Sequence, residues 1–122
     1  MWAVAALLAL NAVLLLAAPA SALTNGLEDF FFGPKLVRAE VVHQDAAGVH
    51  DYLLDRGRIR NVTADSLTLL ERDGTVVTIA VAPTADVRFK GRRVSLTVLR
   101  RGMVATTVRE GEAAAHIVQA GK

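Results

Sequence analysis

Hydrophobic and polar positions alternate along most of the chain after residue 37. Val, Thr and Leu are interleaved with polar residues, and turn residues recur at intervals of about 8 to 12 positions, which is typical of a β-sandwich or a β-barrel. This alternation predicts strands over residues 37–43, 49–62, 66–71, 75–81, 86–90, 103–109 and 114–119. The sequence therefore predicts an all-β single domain, residues 38–120, folded as a small antiparallel β-barrel of about six strands, with residues 121–122 as a tail.

The hairpin over residues 66–81 is the best-specified element. A two-residue loop at Asp73-Gly74 would mix apolar and polar side chains on both faces. A three-residue loop over residues 72–74, with a left-handed Gly74, places the apolar side chains on one face. We predict the three-residue loop, in which Leu69 pairs with Val77 and Leu67 with Ile79. The side chains expected to point inward are Val41, Ile59, Leu67, Leu69, Val77, Ile79, Val87, Phe89 and Ile117.

Two further signals refine this fold. Gly57, inside the second strand, predicts a bulge or a sharp coil. Residues 95–102 suit a strand by their β-branched side chains, but Ser95 suits an N-cap and Gly102 can end a helix. We favour one short helical turn there.

The first 22 residues carry a different pattern. No charged residue occurs between Trp2 and Ala22, and Pro19 precedes the small residues Ala20-Ser21-Ala22. An apolar helix of this length that ends in small residues predicts a cleaved signal peptide. No Lys or Arg precedes the apolar run, so the alternative is a retained transmembrane helix over residues 2–22.

A connector, residues 23–37, joins this segment to the β domain. Its centre is Phe30-Phe31-Phe32, which contains three of the four Phe residues of the chain. One interpretation is that the connector docks on the barrel and covers an open end. The other is that Phe30, Phe31 and Phe32 form an interface, either with the membrane or with a partner.

Composition narrows the possible functions. The chain has no Cys, which excludes thiol catalysis, thiolate metal sites and disulfide exchange. It has 14 basic and 12 acidic residues, with a net charge of +2, so it is neither a polyanion-coating protein nor an acidic tail. Residues 23–122 suffice for one small domain with one core.

Turn and core positions carry a resemblance to a known family over about residues 53–120. The positions are Arg58-Ile59-Arg60, Leu67-Thr68-Leu69, Asp73-Gly74, residues 87–89, Leu99-Arg100-Arg101-Gly102-Met103-Val104 and residues 115–118. This segment resembles an uncharacterised family of small β-barrel domains that is common in exported bacterial proteins. The resemblance implies a barrel fold and an exported setting. It implies no catalytic or ligand-binding residues.

Two His and two Asp residues lie close together in residues 43–51. If the loop spans residues 45–48, His43 lies directly opposite His50, with their Cβ atoms about 5 Å apart. Both imidazoles would then reach one divalent metal, and Asp45 or Asp51 would add a carboxylate. Solvent-exposed hairpin residues are the simpler interpretation. His116 stands alone in the last predicted strand and is expected at the surface or rim.

Three arginines alternate in the second predicted strand. Arg56, Arg58 and Arg60 share one face, with their charges about 7 Å apart. They predict a contact with an anionic polymer or a lipid headgroup. A solvated face balanced by nearby carboxylates is the alternative, the carboxylates being those of Asp55, Asp65, Glu71 and Asp86. Aromatic side chains for base stacking are scarce, so no nucleic acid partner is expected.

No catalytic motif is recognisable, and neither an enzymatic activity nor a cofactor is expected. The leading hypothesis is a non-catalytic binding or interaction module of the bacterial cell envelope, with an envelope polymer, a lipid headgroup or an envelope protein as partner. The alternative is a membrane-anchored structural subunit that keeps residues 2–22. In either case the protein is exported and is periplasmic, secreted or anchored outside the cytoplasmic membrane.

These alternatives predict different amino termini for the protein in its host. Cleavage of a signal peptide leaves a chain that begins at Leu23, and mass spectrometry of the purified protein measures this directly. An intact Met1 or Trp2 in the membrane fraction contradicts cleavage and supports the anchored form.

Overall fold

The computed structural model describes residues 30–121, most of which lie in one mixed β-sheet. The predicted apolar helix at residues 2–22 lies outside the described residues. The elements are β1 (Arg38–Asp45), β2 (Gly48–Val62), β3 (Ser66–Glu71), β4 (Val76–Phe89), β5 (Arg92–Arg93), a 3-10 turn (Leu96–Val98), β6 (Val104–Glu110) and β7 (Ala115–Gly121). The prediction of a β-rich domain with one short helical turn is confirmed for this part of the chain.

The strand order is β1-β2-β3-β4-β7-β6, and β2 also pairs with β6. Five strands, β2, β3, β4, β7 and β6, thus form a cycle of pairings, while β1 and β5 each pair with one strand of it. The pairing of β4 with β7 is parallel, and the others are antiparallel. The expectation of a wholly antiparallel sheet is therefore wrong. Strand directions can alternate all the way around a cycle only when the number of strands is even, so a cycle of five requires a parallel pair.

The hairpin of β3 and β4 has the predicted register. Leu69 pairs with Val77 and Leu67 with Ile79. The three-residue loop closes through a hydrogen bond from the amide of Glu71 to the carbonyl oxygen of Thr75, at 2.8 Å. Gly74 has a φ of 91°, which is the left-handed conformation that this loop requires.

Strand β4 differs from the prediction of two separate strands over residues 75–81 and 86–90. It runs continuously through Pro83. Pairing with β3 ends at Ala80, and regular pairing with β7 resumes at Asp86 after a register shift. Pro83 lies in this irregular interval, where its missing N–H is not needed by a neighbouring strand.

The bulge expected at Gly57 lies instead at Arg60. Ile59 pairs with Leu69 and Asn61 with Thr68, which leaves Arg60 as the extra residue. Gly57 has another role, because a Cβ at this position would lie 2.6 Å from the carbonyl oxygen of Leu70. The absent side chain therefore allows β2 and β3 to approach closely.

Two hydrophobic clusters stabilise the sheet. The larger contains most of the side chains predicted to point inward, and Ile59, Leu67, Leu69 and Ile79 are almost completely buried in it. Val77 and Phe89 are partly buried against the same cluster. The smaller cluster consists of Leu36, Tyr52, Leu54, Val108 and Ile117, with Phe31, Phe32, Ala39 and Val41 packed against it.

Within residues 30–121, no helix is long and apolar enough to cross a bilayer.

The close approach at Gly57 predicts a large effect for a small substitution. The added methyl group of Gly57→Ala collides with the backbone of Leu70, so we expect the free energy of unfolding to fall by about 1–3 kcal/mol. Chemical denaturation of the full chain measures this change. The matched control is Gly121→Ala, whose added carbon has no atom within 4 Å, and its effect should stay within about 0.5 kcal/mol. Equal losses in the two variants would contradict the close approach.

Candidate functional site

One face of β2 carries His50 from the predicted histidine pair and arginines from the predicted arginine triplet. Side chains alternate along a strand, so the even-numbered residues from His50 to Arg58 lie on the same face. His50, Tyr52 and Leu54 are buried, Arg56 is half-buried and Arg58 is exposed. Arg60, at the bulge, is exposed as well. Histidine and arginine groups thus occupy opposite ends of one strand face.

Backbone carbonyl groups position two of these arginines and a third from the β3–β4 loop. Nη1 of Arg56 donates to the carbonyl oxygen of Phe32 at 3.3 Å and to Oγ1 of Thr106 at 3.2 Å. Nη1 of Arg58 donates to the carbonyl oxygen of Gly102 at 3.0 Å. Nη1 of Arg72 donates to the carbonyl oxygen of Pro34, also at 3.0 Å.

No carboxylate within residues 30–121 forms an ion pair with Arg56, Arg58 or Arg72. Arg38, Arg88 and Arg109 behave differently, because each lies within 4.0 Å of a carboxylate oxygen. Burial lowers the pKa of Arg56, which still leaves an arginine fully charged at neutral pH. The three guanidinium groups are therefore held in place without being neutralised.

These three arginines line one groove, which we call the arginine groove. It has a volume of about 440 Å³ and lies between the connector and strands β2, β3 and β6. Its lining residues are Pro34, Leu36, Arg56, Gly57, Arg58, Leu70, Glu71, Arg72 and Val104. A second pocket of about 200 Å³ shares Arg56 and Val104 with it, so Arg56 contacts both cavities. Arg60 does not line the arginine groove, and of the predicted triplet only Arg56 and Arg58 reach it.

Two carboxyl groups, which the sequence suggested as surface counter-charges, are buried instead. Glu71 is 2% exposed and Asp55 is 7% exposed. Arg38 donates from Nε to Oε1 of Glu71 at 3.1 Å. Burial and, after it, the neighbouring Asp55 raise the pKa of Glu71 to about 7, although Arg38 opposes the shift. The alternation of β3 contained the signal for this burial, since Glu71 has the same parity as Leu67 and Leu69.

His43 and His50 are paired across β1 and β2, as the sequence predicted. Both ring nitrogens of His50 contact carboxylates. Nε2 lies 3.0 Å from Oδ1 of Asp45, and Nδ1 lies 2.5 Å from Oε1 of Glu110. Both nitrogens donate only in the imidazolium form. The pKa of His50 is accordingly raised, first by Glu110 and then by Asp45.

This arrangement supplies no third metal ligand to His43 and His50 from the described residues. Between residues 30 and 121, no group of three or more His, Cys, Asp or Glu side chains has the geometry to hold a metal ion. A metal bound at Nδ1 or Nε2 of His50 would have to displace Glu110 or Asp45. Metal binding by this pair stays a prediction, and the observed role of His50 is to join the β1–β2 turn to β6.

Tyr52 continues this cluster toward β7. Its ring stacks on that of His50, with the centroids 5.8 Å apart, and lies 6.1 Å from the ring of His116. The Tyr52 hydroxyl and Nε2 of His116 are both buried and have no hydrogen-bond partner in the described part of the chain. Burial lowers the pKa of His116. His116 is thus half-buried, with its ring beside that of Tyr52.

Two phenylalanines of the connector fit a docked segment, and the third fits an exposed interface. Phe31 and Phe32 pack against the smaller hydrophobic cluster, as a docked connector requires. Phe30 is 67% exposed and contacts Phe31 edge-to-face, with the ring centroids 5.3 Å apart. Phe30 is therefore the most exposed of the three, while Phe31 and Phe32 are half-buried.

Comparison with known proteins identifies no relative: no family model, no curated protein and no solved structure matches this chain. The resemblance to exported β-barrel domains stays a prediction, and the functional argument depends on the side chains themselves.

The ion pairs of His50 predict a pH-dependent contribution to stability. Because the pKa of His50 is raised in the folded state, this contribution is complete below the unfolded pKa of about 6.5 and is lost as the pH rises through the folded value. We expect His50→Gln to lower the thermal midpoint more at pH 5.5 than at pH 8.5, as measured by thermal denaturation. His43→Gln is the matched control and should show no such difference. A deficit for His50→Gln that is the same at both pH values would contradict the protonated arrangement.

Proposed function

We propose that this domain is a non-catalytic binding module that holds an anionic group in the arginine groove. The observation that carries the proposal is the arrangement of Arg56, Arg58 and Arg72 around one cavity, each bonded to a backbone carbonyl and none to a carboxylate in the described part of the chain. An arginine that serves only the fold is usually paired with an acid or exposed alone. Three positioned and uncompensated charges favour a ligand of opposite sign.

The unused donors of these side chains suit such a ligand. A guanidinium group has five N–H donors in a rigid plane. Arg58 and Arg72 each use one nitrogen for a carbonyl contact, so the rest of each plane remains available. Carboxylate, phosphate and sulfate groups accept two parallel hydrogen bonds from one guanidinium. The groove therefore fits an oxyanion on a larger molecule better than a monatomic ion.

The scaffold supports this interpretation. We infer that the cycle of β2, β3, β4, β7 and β6 closes into a five-stranded barrel, on whose outer surface the arginine groove lies. Five-stranded barrels include the OB-fold, whose faces and loops bind oligonucleotides and oligosaccharides. A shared fold does not by itself identify the ligand. Of these two classes of ligand, however, an exported protein would meet oligosaccharides rather than oligonucleotides.

The setting that we propose is the bacterial cell envelope, which the apolar segment of residues 2–22 would enable the protein to reach. Oxyanions of an envelope polymer or of a lipid headgroup would then occupy the groove, and an acidic envelope protein could present the same chemistry. We propose no nucleic acid partner, because none of the described residues that line the groove has an aromatic side chain on which a base could stack.

A second candidate function is a membrane-anchored structural subunit that keeps residues 2–22 as a transmembrane helix. The observation that favours it is the exposed ring of Phe30, a few residues after the apolar segment. Aromatic side chains at such positions insert into the interface of a bilayer. The amino terminus of the mature protein distinguishes the two functions.

The anion site predicts a specific loss of binding in an arginine variant. We expect the triple variant Arg56→Gln, Arg58→Gln, Arg72→Gln to bind a sulfated polysaccharide roughly 100-fold more weakly, at about 1 kcal/mol per arginine. Affinity of the wild type should fall steeply with added salt. Retention of the full chain on an immobilised sulfated polysaccharide, and on vesicles of anionic lipid, measures both effects and distinguishes a polymer from a headgroup.

A matched variant controls for net charge. The change Arg92→Gln, Arg93→Gln, Arg101→Gln also removes three exposed positive charges, but none of these residues lines the arginine groove. It should bind like the wild type. If the wild type shows no retention on either matrix at low ionic strength, or if both triple variants lose binding equally, the proposed site is wrong.

A further inference from the structure

Two buried carboxyl groups lie together beneath the arginine groove. Glu71 pairs with Gly57 in the register of β2 and β3. Asp55, two residues before Gly57, points to the same side of β2. Both side chains are almost completely buried, and Glu71 also lines the groove. The pair therefore lies on the face of the sheet opposite to Arg56 and Arg58, and Glu71 borders the candidate ligand site.

The hydrogen bonds around this pair leave one oxygen without a partner. Oε1 of Glu71 accepts from Arg38, whereas Oε2 is buried and accepts no hydrogen bond from any residue between 30 and 121. The nearest cation to Asp55 is Arg109, whose Nε lies 3.8 Å from Oδ2, too far for a hydrogen bond. A proton on Oε2 of Glu71 would convert the orphan acceptor into a donor toward Asp55. Two adjacent buried carboxylates also cannot both be ionised without a large cost.

We propose that the buried carboxyl group of Glu71 takes up a proton and donates it in a hydrogen bond toward Asp55, and that uptake of this proton strengthens anion binding in the arginine groove. The inference rests on the proposed function, because it names the regulation of that same site. The carboxylate of Glu71 adds a negative charge to a groove that otherwise presents three guanidinium groups. Protonation removes this charge, and an anion binds more tightly as a result. By linkage, a bound anion must also favour proton uptake.

Glu71 changes its charge close to neutral pH. Burial is the main cause that raises the pKa of Glu71 to about 7, with Asp55 acting in the same direction. The groove therefore gains a negative charge as the pH rises through about 7, and it loses that charge as the pH falls.

The charged groups that face Glu71 or Asp55 are Arg38 from β1 and Arg109 from β6. Asp73, from the β3–β4 loop, pairs with the same Arg38. The arginines stay charged throughout. Arg38 lowers the pKa of Asp73 below its ordinary value, so Asp73 stays ionised at neutral pH. The imidazoles of His43, His50 and His116 do not line the groove.

Calorimetric titration of the full chain with a sulfated oligosaccharide tests the proposal, since a sulfate ester does not titrate between pH 5.5 and 8.5. We expect affinity for the wild type to be roughly tenfold higher at pH 5.5 than at pH 8.5, within the usual range of coupling between sites. Glu71→Gln should bind with the high affinity at both pH values. Asp73→Asn and His50→Gln are the controls, and both should keep the pH dependence of the wild type.

A second measurement needs no variant. Binding at pH 7 in buffers of different ionisation enthalpy reports proton uptake directly, and we expect a fraction of one proton to enter per anion bound. Anion binding that is independent of pH and takes up no proton overturns the inference and leaves the proposed function intact. Absence of anion binding at every pH overturns both. A pH dependence that persists in Glu71→Gln places the titrating group elsewhere and also overturns the inference.

Discussion

The pairing of β2 with three other strands is the constraint on which the rest of the structure depends. Its first half lies between β1 and β6, and its second half between β3 and β6. One face of β2 supplies Ile59 to the larger hydrophobic cluster. The other face supplies Tyr52 and Leu54 to the smaller cluster and also carries the arginines. Gly57 allows the close approach to β3 that brings Arg72 and Glu71 beside Arg56 and Arg58. Fold and candidate site thus share one strand.

Local elements were predictable from the sequence, and long-range pairings were not. The alternation around Gly74 indicates both the loop length and the register of Leu67 and Leu69. No local pattern indicates that β4 pairs with β7 in parallel, because that pairing depends on how the whole cycle closes. The predicted end of a strand at Pro83 was wrong for the same reason. Among the described strands, none pairs regularly with β4 at Pro83, so its missing N–H does not interrupt the strand.

The candidate site was predictable in part. Spacing alone places Arg56 and Arg58 on one face, and the structure agrees. Arg72 joins them only through the β3–β4 loop, and Arg60 leaves the groove because the bulge falls at its position. Glu71 has the charge of a surface residue, and only its parity with Leu69 indicates an inward side chain. Parity along a strand is therefore a better guide to a buried carboxyl group than its residue type.

The parallel pairing of β4 with β7 has a consequence for the order in which the domain folds. Residues Asp86–Phe89 pair in parallel with Ile117–Ala120, near the end of the described residues. A chain that emerges from its amino terminus therefore cannot complete the sheet until the last strand is available, and pairings between such distant residues form slowly. In the exported protein that we propose, this late closure would keep the chain unfolded, and so competent for translocation, until it reaches the far side of the membrane.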